Sequence, residues 1–232
     1  MSNNILLKIS IDSLKFFFTG LKYSILLALI CSVVVFSILL IIAFYAPEHT
    51  NSAQYLAIDI LRSLPLIYAH IWFILFMTVW HIEHKNKGMK ISAIAKKSAI
   101  ECIPITLCIT AYEAVNLDLF HKHLQSNLSI YGMDIGIILL FISWSLASAL
   151  ALPAHVMGLR NKQSPSKIKC KKIPMRILLL IAFIMFSTYL VLNIAIQFLI
   201  GGFPSVMIPL LFFLMSTICA AISAAVYKAQ SE

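Results

Sequence analysis

The sequence predicts an all-α polytopic membrane protein, with six transmembrane helices preceded by an amphipathic helix lying in the membrane interface. Three observations predict it. The 232-residue chain is 61% hydrophobic and 12% charged, whereas soluble domains have roughly 25% charged residues. Six apolar runs are long enough to cross a hydrocarbon core about 30 Å thick, which takes about 20 helical residues. Finally, of the eighteen Lys and Arg residues, all but Arg62 and Lys122 fall on one side when those runs are counted as crossings. That asymmetry marks a cytoplasmic face. The composition excludes a water-soluble domain. A membrane barrel is excluded too, because its period-two alternation is absent. In lipid every backbone polar group needs an internal partner, so the apolar runs are expected as helices.

The whole chain, 1–232, is expected to be one integral membrane domain. Residues 1–20 lead into it. Leu7, Ile11, Leu14 and Phe18 recur at helical spacing, while Lys8, Asp12 and Lys15 share the opposite arc. This pattern suits a helix in the inner interface, with a cytoplasmic extension of the first crossing as the alternative. The start lacks a basic segment and a small-residue cleavage site, so the first crossing is expected to act as an uncleaved anchor.

The crossings are expected at 21–46, 55–80, 99–120, 135–157, 177–200 and 203–227. The third is the most polar, interrupted by Glu101, Glu113 and Asp118. Charge decides that it crosses. Without it, the seven basic residues from Arg160 to Arg176 would lie outside, against the positive-inside rule. A helix this polar is expected to face other helices. Tyr23, Trp80 and Tyr227 near the inner ends, and Tyr45, Tyr55, Phe120 and Tyr131 near the outer ends, suit an interfacial belt. Pro65, Pro104, Pro153 and Pro209 fall inside crossings and favour kinks. The one Gly-x-x-x-Gly pair near an apolar run is Gly132/Gly136 on the flank of the fourth, so Gly-based close packing is not expected. Four of the five cysteines lie in apolar runs and Cys170 lies in a Lys-rich loop, which does not suggest a disulfide framework.

A basic loop with Gly88 leads into "ISAIAKKSAIECIPITL"; the fourth helix ends in "ALPAHVMGL", followed by an "SPSK" loop and two closing helices. Together with the amphipathic lead, this arrangement resembles the six-helix bacterial inner-membrane proteins of the YciC type. Those are related to the membrane domain attached to some glycerophosphodiester phosphodiesterases. The resemblance spans most of the chain and rests on pattern. The Trp- and Gly-containing stretch often found before the fifth helix is replaced here by "KIKCKKIPMRILLL". The resemblance implies no catalytic residues, because the phosphodiesterase activity belongs to a separate soluble domain.

Motifs for a nucleophile elbow, a phosphate loop or a zinc-binding His-Glu-x-x-His are absent from the sequence. His81 and His84 leave the second helix at the inner side, and His121 and His123 lie at the outer end of the third. No cofactor or metal site is expected from them, since neither pair has a third ligand nearby. His70 and His155 differ in depth, and a hydrogen bond to a neighbouring helix is the better account of each. The basic run Lys167–Lys172 is expected to meet anionic lipid headgroups rather than nucleic acid.

The most informative cluster is a polar layer in the outer half: Asp59 and Arg62 on the second helix, Glu113 and Asn116 on the third, Asn193 and Gln197 on the fifth. Thr106 and Thr110 lie near the same stripe of the third helix. Mid-helix charges cost about 2.5–3.5 kcal/mol each on insertion scales, so Arg62 and Glu113 are expected to pair. The sequence therefore points to a non-enzymatic inner-membrane protein, with both ends cytoplasmic, in envelope maintenance or as partner of another membrane protein. A small transporter or channel built on the Arg62/Glu113 layer is the alternative.

Overall fold

The computed structural model describes residues 2–45, 52–83, 90–122 and 207–231, together with Pro153, Val156 and Leu179; all its elements are helices. They are α1 (Ser2–Tyr45), α2 (Ser52–Glu83), α3 (Ile91–Lys122) and α4 (Met207–Ser231). Two stretches, Ile5–Tyr45 in α1 and Leu64–Glu83 in α2, are long and apolar enough to cross a membrane. Pro153, Val156 and Leu179, from the crossings expected at 135–157 and 177–200, are helical. The rest of those two crossings lies outside the described residues.

The lead and the first crossing differ from expectation. They form one unbroken helix of 44 residues, about 66 Å long at a rise of about 1.5 Å per residue. The lead is thus continuous with the first helix, as in the alternative expected from the sequence. The only glycine at the junction is Gly20. One glycine costs about 1 kcal/mol relative to alanine in a helix, too little to break a helix that packs on its neighbours on both sides of that point.

Direction follows from the contacts. Phe16 meets His81, Tyr23 meets Phe76 and Trp80, and Ser24 meets Met77, so α1 and α2 run antiparallel. Tyr68 Oη donates to the Ala99 carbonyl and Trp72 Nε1 to the Ala95 carbonyl, each at 3.1 Å, so α3 runs antiparallel to α2. His70 meets Phe213 and Ser216, and Thr78 meets Ala220, so α2 and α4 run parallel. α4 packs on both α1 and α2.

Small side chains let these helices approach closely. On α1, Gly20, Ser24, Ala28 and Ser32 follow one another every four residues and all are buried. On α4, Ser216, Ala220 and Ala224 do the same. Residues four apart share a helix face, and small-residue faces bring backbones together in membrane bundles. Glycine-based packing was not expected, and among the described residues the small-residue spacing is carried mostly by Ser and Ala. Between Cys219 and Tyr227 every residue of α4 except Ile222 is buried. Large residues fill the core, with Phe73 on Phe213 between α2 and α4, and Phe76 and Met77 turned to α1.

Candidate functional site

Two polar centres sit among the described residues, one within the bundle and one at its Lys228 end. In the first, Ser216 Oγ stands 2.7 Å from Nε2 of His70, beside the rings of Phe73 and Phe213. Thr78 Oγ1 donates to the Ile74 carbonyl at 2.7 Å and lies 3.4 Å from the Ala220 carbonyl. The His70–Ser216 and Thr78–Ala220 contacts are interhelical, of the kind that fix helix pairs in lipid. The Ser–His distance is also that of a nucleophile and its base. However, Ser216 is 1% exposed and lies among apolar rings, so the geometry is that of a helix clamp. The expectation that His70 bonds to a neighbouring helix is met by α4.

The second centre gathers residues from α1, α2 and α4. Lys228 Nζ donates to Asp12 Oδ2 at 3.1 Å, with the Asp12 side chain 10% exposed and that of Lys228 36%. The ammonium also lies 6.0 Å from the centre of the Phe16 ring, at the outer reach of a cation–π contact. Phe16 leans on His81 at 5.4 Å, His81 on Trp80 at 5.2 Å, and Trp80 stacks on Tyr23 at 4.9 Å. Gly20 is needed under this stack, because a Cβ there would collide with Cε1 of His81. Outside the Asp12–Lys228 clasp lies an open groove of about 320 Å³, lined by Leu7, Lys8, Ile11, Asp12, Lys15 and Lys228.

The sequence placed Asp12 on a wet arc with Lys8 and Lys15. Lys8 and Lys15 are exposed, but Asp12 is buried. At about 100° per residue, Asp12 lies about 40° from Lys8 toward Ile9 and Phe16, the buried face. That offset was the available signal. Its partner, 216 residues later in the chain, had none.

The polar layer expected around Arg62 is placed only in part. Asp59 and Arg62 lie on α2, and Glu113 and Asn116 on α3. Their side chains, like the whole of Asn193 and Gln197, lie outside the described residues. Thr106 and Thr110 are buried on α3, Thr106 Oγ1 donating to the Cys102 carbonyl at 2.8 Å. The backbone register of α2 against α3 is set by two contacts. Tyr68 meets Ala99 and Trp72 meets Ala95, so the two positions in each pair sum to 167. Carried along both helices, this sets Arg62 opposite Ile105. Glu113 is then eight residues, or about 12 Å, farther along α3.

Cys31, Cys102 and Cys219 are buried free thiols, and Cys108 is an exposed one. Among the described residues, no cluster of three His, Cys, Asp or Glu side chains has metal-binding proximity. Compared with known protein families, curated proteins and solved structures, the chain shows no match.

Proposed function

We propose that this chain is a non-enzymatic multi-pass protein of a bacterial inner (cytoplasmic) membrane, with six crossings and both ends on the cytoplasmic side. It acts in envelope maintenance or as a structural partner within a membrane complex, and in architecture it resembles the YciC-type proteins. One observation carries the membrane reading. The most apolar window of α1, with a mean hydropathy of 3.3, is only 22% buried. Leu26, Ile30, Val33, Val34 and Ile41 all face outward. A soluble core helix would bury these side chains; a lipid-facing helix presents them. Exposed apolar surface on this scale costs about 25 cal/mol per Å² in water, and nothing in lipid tails.

The helix directions support six crossings. α3 runs opposite to α2 and α4 runs along α2, so α3 ends at the side where α4 begins. The intervening chain must then cross an even number of times, and its two apolar runs at 135–157 and 177–200 supply two. The excess of Lys and Arg supports the cytoplasmic placement of the Lys228 end. A transporter or channel would rest on a level Arg62–Glu113 layer, and the α2–α3 register favours the structural role.

The test is Cys170, in the loop with seven basic residues from Arg160 to Arg176. With the other four cysteines replaced by alanine, a membrane-impermeant thiol reagent is expected to label it in inverted vesicles and not in spheroplasts. The reverse pattern overturns the orientation. In proteoliposomes, a solute or ion flux abolished by Arg62→Ala would replace the structural role with transport.

A further inference from the structure

We infer that the exposed face of α1 from Leu7 to Ile25 docks an acidic amphipathic helix of another protein, packed against it as a coiled coil. The inference rests on the structural-partner reading above and adds to it a face and a partner chemistry. Leu7, Ile11, Leu14, Phe18, Leu21 and Ile25 follow one another at spacings of four, three, four, three and four residues. That is the a/d heptad repeat, which carries apolar knobs into the holes of a second helix. Five of the six are exposed, Leu7 by 61%, Leu14 by 58% and Phe18 by 68%, and Leu21 is partly buried. At about 100° per residue, this seam lies opposite the face that Ile9, Phe16 and Gly20 bury in the bundle.

Lipid does not account for the whole seam. At the usual tilt of about 20°, the 44-residue helix rises about 62 Å along the bilayer normal, against about 40–45 Å for a bilayer with its headgroups. Residues 23–45 carry no charge, whereas Lys8, Asp12, Lys15 and Lys22 all precede them. The uncharged stretch therefore takes the hydrocarbon, and the charged one stands at its cytoplasmic end. Charge then chooses the occupant. Lys15 and Lys22 hold the e position of successive heptads, beside the seam, and both are exposed. Charges at e and g select the partner of a coiled coil. A second copy in an antiparallel pair would set lysine against lysine. In a parallel pair it would set Lys15 and Lys22 against the g positions Ser10, Phe17 and Ser24, none of them acidic. The cytoplasmic loops of the six-crossing arrangement, 84–90 and 158–176, contain no Asp or Glu. The matching carboxylates therefore come from another chain, on a helix with its own apolar seam.

The experiment places the full chain in nanodiscs of phosphatidylcholine, which expose both faces and carry no net charge. Two designed peptides of about four heptads serve as probes, with Leu at every a and d position. One has Glu at every e and g position, the other Lys, so each repels itself and is monomeric alone. Binding is read by fluorescence anisotropy, with empty nanodiscs as background. The expected result is saturable one-to-one binding of the Glu peptide and none of the Lys peptide. Leu14→Asn should weaken Glu-peptide binding about tenfold or more. Lys15→Glu combined with Lys22→Glu should weaken it about tenfold, or about 1.4 kcal/mol over two exposed charge pairs, and should admit the Lys peptide. All three side chains are exposed, so the variants are expected to keep the parent's thermal midpoint. Equal binding of the two peptides, or Glu-peptide binding indifferent to Leu14→Asn, overturns the site. Binding of neither peptide gives the seam to lipid, and a dimer of the chain that Leu14→Asn dissociates gives it to a second copy; both overturn the proposal. Nanodisc binding is read without reference to orientation, so a reversed Cys170 labelling pattern would remove the inner-membrane reading alone. A flux abolished by Arg62→Ala would remove the structural role and leave the docking face standing.

Discussion

Lys228, in the last turns of α4, donates a 3.1 Å hydrogen bond to the carboxylate of Asp12, in the fourth turn of α1. The bond closes the two sequence ends of the bundle on each other. Exposed ion pairs contribute about 0.2–1 kcal/mol, whereas losing one partner of a buried pair costs about 3–5 kcal/mol. With Asp12 buried and Lys228 about one-third exposed, Asp12→Asn and Lys228→Gln should each cost about 1–2 kcal/mol. In a double-mutant cycle read by unfolding in detergent, the double variant should lose less than the two single losses added together. Strict additivity would show that the pair carries no net coupling.

Gly20 should tolerate no larger side chain. Its missing Cβ leaves room for the His81 ring, which is held between Phe16 and Trp80. Overpacking a filled site costs typically about 1–3 kcal/mol, so Gly20→Ala should destabilise on that scale even though alanine is the better helix former. The same change in a His81→Ala background should cost much less. An unchanged or raised midpoint for Gly20→Ala alone would mean that the ring can move aside.

The His70–Ser216 bond should behave as a clamp. Polar pairs in membrane bundles couple by about 0.6 kcal/mol on average and up to about 1.7. A His70→Ala, Ser216→Ala cycle should give a value in that range. Ser216 should also resist a fluorophosphonate probe in folded protein, because it is buried against His70. Labelling that is abolished by His70→Ala would instead identify an activated serine.

Arg62 and Glu113 should be energetically independent. With the α2–α3 register placing them about 12 Å apart in level, the two alanine variants should add within about 0.3–0.5 kcal/mol. Coupling well above that range would mean that the helices depart from the register set by Tyr68–Ala99 and Trp72–Ala95.

Four of the six expected crossings coincide with described helices, but their ends were legible only to within a few residues. The expected 99–120 became Ile91–Lys122, and the expected 55–80 became Ser52–Glu83. An apolar count finds where a helix meets lipid. It does not find where the helix stops, because good helix formers such as Ala93, Ala95, Lys96 and Lys97 carry it into the polar layer. The candidate site was less legible. His70 was recognised as an interhelical donor or acceptor, yet Ser216 was not named as its partner. The ladder Gly20, Ser24, Ala28, Ser32 is present in the sequence, but Gly-x-x-x-Gly spacing does not reveal it, because only its first member is glycine.

The sequence by itself determined that the described elements are helices, that their apolar runs suit lipid, and that Leu7, Ile11, Leu14 and Phe18 form one exposed strip of α1. Those properties follow from composition and from the helical period, both local. Tertiary structure alone decided which faces meet. It set α4 against both α1 and α2, buried Asp12 on Lys228, and fixed the α2–α3 register at Tyr68–Ala99 and Trp72–Ala95. Periodicity shows that a helix has a face to bury, but many partners and registers can bury it. The choice among them comes from side-chain volumes fitting across helices far apart in the chain, as the His81 ring does over Gly20.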